Sequence, residues 1–397
     1  MSANSKGLSQ RVGQLESSAV AEMLELGRKL AAQGREIIPL VQGEPDFDTP
    51  PHIREAAYRA LVEGHTHYIP AQGLLALRQA VAGKLKRENG IEADPGTEIL
   101  ITSGATMGLH LVMLAILETG DEVLLPDPTY GPFQSIVALS GGICRFIPTI
   151  EKSGHFRLTV EAVEEVVTPR TKAIIVCTPN NPTGDVLRTE ELKAVAQVAA
   201  RHGLFVVADE VYEKLVYDGL EHRSILALVP EISDQIILVN AFSKTYAMTG
   251  WRLGYNVANS ALTRAMTKIN QFSGRMPASF VQYAGIAALE GPQDAIVYML
   301  EAYRRRRDMI LEGLDGVPGL ICPRPEGTFY VFVDARATGF DSWKLAQHVL
   351  EVGGVITTPG AHYGPKGEGH LRLSYAYDTP QLAKGIAGLR YAFERLG

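Results

Sequence analysis

"EILITSGATMGLHLVMLAILETG", residues 98–120, passes from an extended run into a helical one through Ser103, Gly104, Ala105 and Thr106. Ile99, Leu100 and Ile101 follow one another without a polar break, the pattern of a strand buried on both faces. The apolar positions from Thr106 to Glu118 fit a helix closed by Gly120. The same kind of strand recurs in "DEVLLP" (121–126), "TKAIIVCTP" (171–179), "LFVVADE" (204–210) and "QIILVNAF" (235–242). A helical stretch at 74–89 precedes the first of these runs, and others such as Thr189–His202 separate several of them. This alternation predicts an α/β fold, with a mostly parallel sheet flanked by helices.

Beyond about residue 295 the pattern changes to a long polar helix carrying Arg304–Arg307, then "GTFYVFVDA", a helix near Asp341–Gly353, "GVITTPG" and "HLRLSYA". We expect a large domain over 51–295 and a smaller α+β domain built from 1–50 and 296–397. The arginine run reads as a solvated helix face.

A chain of 397 residues with 46% hydrophobic and 21% charged residues has the composition of an ordinary soluble globular protein, long enough for a sizeable enzyme. Its net charge of −6 argues against nucleic acid as a partner. There is no signal-peptide pattern and no apolar run of about 18 residues, so a cytoplasmic protein without a membrane span is expected. Cys144, Cys177 and Cys322 have no CxxC spacing and read as small buried hydrophobes, not as a disulfide framework or metal site.

In open α/β sheets, ligands collect at the carboxyl ends of strands. The Ser-Gly-Ala-Thr turn would leave free N–H groups at a helix start, a cradle for phosphate or carboxylate, though such a turn is often only a connection. Neither a GxxxxGK[ST] loop nor a GxGxxG fingerprint occurs. Asn181 follows the next strand and Asp209 ends another, with Tyr212 three residues on; taken alone Asn181 reads as a turn residue and Asp209 as a helix cap.

Together, "GEPDFDTP", "HYIPAQG", "SGATMGL", "DPTYGPF", "TPNNPTG", "ADEVY", "SKTYAMTGWRLGY" and "LRLSYA" resemble, in this order, the class I/II aminotransferases of the fold-type I, pyridoxal-phosphate-dependent superfamily. The similarity is to the bacterial aspartate/aromatic/alanine-type branch. It implies amino-group transfer between an L-amino acid and a 2-oxo acid. The same scaffold also supports elimination or substitution, cyclisation, decarboxylation and amino-acid oxidation.

The resemblance assigns roles residue by residue. Lys244 tethers pyridoxal 5'-phosphate and shuttles the proton; only a lysine amine can hold that cofactor covalently and be displaced by a substrate amine. Arg252, Gly104, Ala105, Thr106 and Ser243 fall at phosphate-binding positions. Asp209 pairs with the ring nitrogen, Asn181 and Tyr212 with the ring's phenolic oxygen, and Tyr130 stacks on the ring. Tyr68 reaches the phosphate of a neighbouring subunit, which implies a homodimer with shared active sites. Arg372 clamps the substrate carboxylate bidentately, beside Gly43 and Asn181.

Some positions depart from the pattern. Where the branch has a lysine and a threonine for a second carboxylate, this chain has Thr106 and Val20, so hydrophobic or aromatic substrates are expected over aspartate. Arg275 stands where small or hydroxyl residues are usual and is expected to meet a polar or anionic substrate end. His362 and Tyr363 are expected at the pocket entrance. His65 and His67 form an HxH pair without further ligands, and no metal is expected.

Overall fold

The computed structural model describes residues 9–13, 15 and 18–396. Its seven-stranded sheet contains β1 (Ile99–Thr102), β2 (Glu122–Pro126), β3 (Ile143–Ile147), β4 (Thr171–Cys177), β5 (Phe205–Asp209), β6 (Ile236–Ala241) and β7 (Gly254–Val257). The order is β1-β7-β6-β5-β4-β2-β3, parallel except for β7, which is antiparallel to both neighbours. Alternate residues of one strand enter different cores. Val123 and Leu125 pack with Leu109, Val112 and Phe133 on one side, while Leu124 packs with Val163, Leu192 and Val195 on the other. Both faces are covered, so the strands carry continuous apolar runs, each buried side chain contributing roughly 1.5–3 kcal/mol.

A second sheet has the antiparallel order β8 (Tyr330–Asp334), β10 (His370–Ser374), β9 (Thr358–Pro359). Ile38–Pro39 pairs with Val355–Ile356, and the Ser374 N–H donates to the Leu40 carbonyl, so the early chain threads beside this sheet. Arg372 lies in the middle strand, opposite Phe332 on one side and Thr358 on the other.

Three readings need correction. The helix expected over 74–89 is α-helical only across Leu75–Lys84 and continues as a π-helical turn, Leu85–Asn89. The arginine run in helix Asp294–Leu314 is not a uniformly solvated face. Arg304 and Arg305 are exposed, but Arg306 and Arg307 are buried and form bidentate ion pairs with Asp46 and Asp218. Burying a guanidinium requires such a partner. Cys177 is buried, whereas Cys144 and Cys322 are only partly so.

Candidate active site

The carboxyl-end loops of the large sheet converge on a cavity of about 390 Å³. Because β7 runs against its neighbours, with Gly254 opposite both Thr102 and Ala241, its entry lies at the edge where β1 and β6 leave. Arg252 therefore arrives beside Gly104. Gly104 has φ 83°, and a Cβ there would stand 2.7 Å from the Arg252 guanidinium, so only glycine lets the cation lie against this turn. Ala105 and Thr106 open the helix Ala105–Ile116 and line the cavity with Ser243. The first-turn N–H groups have no acceptor within the helix and present its positive end.

Asn181, Asp209 and Tyr212 are buried at the strand ends, and the Tyr130 ring joins them in the cavity wall. One oxygen of Asp209 accepts the Val211 N–H at 3.3 Å, and no basic side chain pairs with it among the described residues. Burial raises its pKa to about 7. The Lys244 ammonium, partly buried, donates to the Gly43 carbonyl, and desolvation lowers its pKa to about 8. Arg372 donates from Nη1 to Asn181 Oδ1 at 3.1 Å and from Nη2 to the Val41 carbonyl at 2.5 Å, with its guanidinium 4.3 Å from the Tyr330 ring centre. Its Nε is buried with no hydrogen-bond partner among the described residues. Gly43 must be glycine because a Cβ would collide with the Tyr330 hydroxyl.

The cavity thus gathers every residue to which the resemblance gave a role except Gly104, which borders it through Arg252, and Tyr68. Tyr68 is 83% exposed and lines a separate groove, where the Arg275 guanidinium lies 4.7 Å from its ring centre. His65 stacks on Tyr283, with ring centres 4.2 Å apart. Val20, His362 and Tyr363 line the cavity. Tyr330, Val41, Leu109 and Ser18 also line it and were not singled out in the sequence. Tyr330 carried a signal: a tyrosine in an apolar strand needs a partner for its hydroxyl, here the Tyr212 hydroxyl at 3.0 Å.

These residues fit pyridoxal phosphate. A glycine turn with an arginine suits a phosphate, a buried carboxylate without a cationic partner suits a protonated ring nitrogen, and a buried amine of lowered pKa suits the tether. Residues 35–389 match the family model for aminotransferase class I and II.

The chain belongs to the class I and II aminotransferases. It is 39% identical to an aspartate aminotransferase of Geobacillus stearothermophilus over 96% of this chain and 97% of that one. It is 41% identical to an aromatic-amino-acid aminotransferase of Thermococcus litoralis, covering 96% of each. Among solved structures, the Thermus thermophilus aspartate aminotransferase with maleate aligns at a TM-score of 0.91 with 39% identity, over 97% of this chain and 99% of that one. The fold is accordingly fold type I, and this class I and II aminotransferase moves an amino group between an amino acid and a 2-oxo acid, with pyridoxal phosphate as its cofactor.

Proposed function

We propose that this aminotransferase acts on neutral, hydrophobic or aromatic L-amino acids, as a cytoplasmic homodimer with shared active sites. One observation carries the substrate reading. The basic residues lining the cavity, among those described, are Lys244, Arg252 and Arg372. All three are committed, to the tether, the phosphate and the α-carboxylate respectively. The remaining wall includes Val20, Leu109 and Pro132, with His362, whose pKa falls to about 4 through burial and the nearby Arg372 charge, so it is neutral at pH 7. A second substrate carboxylate would be desolvated there without a cation from this chain.

Bound in this site, pyridoxal phosphate supplies the carbonyl that receives the amino group and an electron-withdrawing ring. Lys244 Nζ takes the proton from the substrate α-carbon and returns it; a pKa near 8 leaves part of the amine unprotonated at neutral pH. Asp209 holds the ring-nitrogen proton in place. Arg372 fixes the α-carboxylate, and Asn181 and the Tyr212 hydroxyl orient the ring oxygen.

Exposed Tyr58, Val62 and Tyr68 support the dimer, as does a Tyr68 held outside its own chain's cavity. We take 51–295 as the cofactor-binding domain, with 1–50 and 296–397 as its smaller companion. No helix among the described residues is long and apolar enough to cross a membrane. Single-turnover reaction of the holoenzyme with L-phenylalanine and L-aspartate tests the substrate reading. The expected ratio of kcat/KM favours phenylalanine by about tenfold or more; a preference for aspartate overturns it.

A further inference from the structure

A second cavity, of about 260 Å³, adjoins the first, with Ser18, Pro132 and His362 in the walls of both. One of its sides is a face of the helix Pro132–Leu139, where Gln134, Ser135 and Ala138 stand at helical spacing. Gly142 and Cys144, at the start of the edge strand β3, complete it. No charged side chain lines this chamber among the described residues. The Gln134 amide and Ser135 hydroxyl are half-buried, and neither side chain has a hydrogen bond among the described residues.

Since the chamber shares Ser18, Pro132 and His362 with the cavity proposed to receive the substrate side chain, its chemistry bears on that side chain's far end. A charged end would lose its water with no counter-charge among the described residues. A wholly apolar end would leave the amide and hydroxyl unpaired. A neutral amide or carbonyl satisfies both. We propose that the chamber is a subsite for the distal end of the substrate, and that this enzyme takes amino acids with long side chains ending in a neutral hydrogen-bonding group. This rests on the reading of the first cavity as a pocket for neutral side chains.

Nε-Acetyl-L-lysine and L-norleucine share a four-carbon side chain and differ by the terminal acetamido group, so their kcat/KM ratio with the holoenzyme reads the second chamber. The wild type is expected to use the acetylated substrate at least as well as norleucine. Ala138→Trp fills the chamber from the helix and should lower kcat/KM for acetyl-lysine by about tenfold or more, with norleucine changing less than about threefold. The double variant Gln134→Ala, Ser135→Ala leaves the volume open and should lower the acetyl-lysine value by about tenfold through two lost hydrogen bonds. It carries the test if the tryptophan variant fails to fold. A wild-type preference for norleucine of about tenfold, or equal falls on both substrates in the variants, overturns the proposal. Preference for aspartate over phenylalanine would defeat the neutral-pocket reading instead, and the two failures are distinguishable because both acetyl-lysine and norleucine have neutral ends.

Discussion

Asp209 and Lys244 share one buried cavity with opposite formal charges, yet they are not ion-paired: the carboxylate accepts a backbone N–H from Val211, and the ammonium donates to the Gly43 carbonyl. Burial pushes the acid up to about 7 and the amine down to about 8, so each is brought toward neutrality by its surroundings and not by the other. Residues held this way are suited to a third party that bears both a proton-carrying nitrogen and an electrophilic carbon.

The amine is the first point to test. Lys244→Ala should lower the transamination rate by about 10³-fold or more while the chain remains folded. Borohydride reduction of the wild-type holoenzyme followed by peptide mass mapping should find the cofactor on Lys244. Attachment at another lysine, or a substantial rate in the variant, contradicts the assignment.

Arg372 offers a planar fork that a lysine cannot reproduce, and its Nε has no partner among the described residues. Arg372→Lys should reduce kcat/KM by about tenfold to a hundredfold, chiefly through KM, for every amino acid alike. Steady-state kinetics over several substrates checks this, and a loss confined to one substrate would contradict an α-carboxylate contact.

Protonation of Asp209 makes the stability of the cofactor-free protein pH-dependent. Between about pH 4 and pH 7 the folded chain holds a proton that the unfolded chain has released, so stability falls as pH rises through that window. Lys244 acts in the opposite sense at higher pH. From about 8 to 10.5 the unfolded chain keeps a proton the folded chain has lost, so stability rises with pH. Asp209→Asn should remove the first slope, giving an advantage over wild type on the order of 4 kcal/mol above pH 7 that vanishes toward pH 4. Tm across pH by calorimetry measures it; the same variant should lose most of its activity.

The stacked pair Tyr68 and Arg275 lies outside its own chain's cavity. If Tyr68 completes a neighbour's phosphate site, Tyr68→Ala and Lys244→Ala should each be nearly inactive alone. Mixed and reassembled, they should recover about a quarter of the wild-type rate, because half the dimers then contain one intact site. Arg275→Ala should lower kcat/KM for 2-oxoglutarate about tenfold while sparing neutral amino acids, with an unchanged profile removing any role for it.

The parts of this fold legible in the sequence are those buried on both sides. β2, β4, β5 and β6 are each centred on an apolar run of three or more residues, which marks them as strands by residue type. β3, at the sheet edge and half-exposed, breaks that pattern, and β7 is hidden in a stretch whose glycines and arginine speak of the turn and not the strand. The candidate site was legible through the ordered motifs, whose resemblance marks Lys244, Asp209 and Arg372; taken alone, Asp209 reads as a helix cap. Tyr330 showed only that its hydroxyl needs a partner, and Val41 showed nothing, since a backbone carbonyl acquires its role only when Arg372 folds against it. The burial of Arg306 and Arg307 likewise depended on Asp46 and Asp218, far away in the chain.

The antiparallel entry of β7 has a further consequence. Ala241 and Gly254 are paired neighbours, so the segment between them is a closed excursion with both ends clamped, and Lys244 and Arg252 sit at two stations along it. Such a segment behaves as a ruler: its contour sets the separation between the Lys244 amine and the Arg252 guanidinium, the proposed tether and the proposed phosphate contact. Side chains along it can vary with modest effect, whereas inserting or deleting one residue would recalibrate the distance between those two contacts.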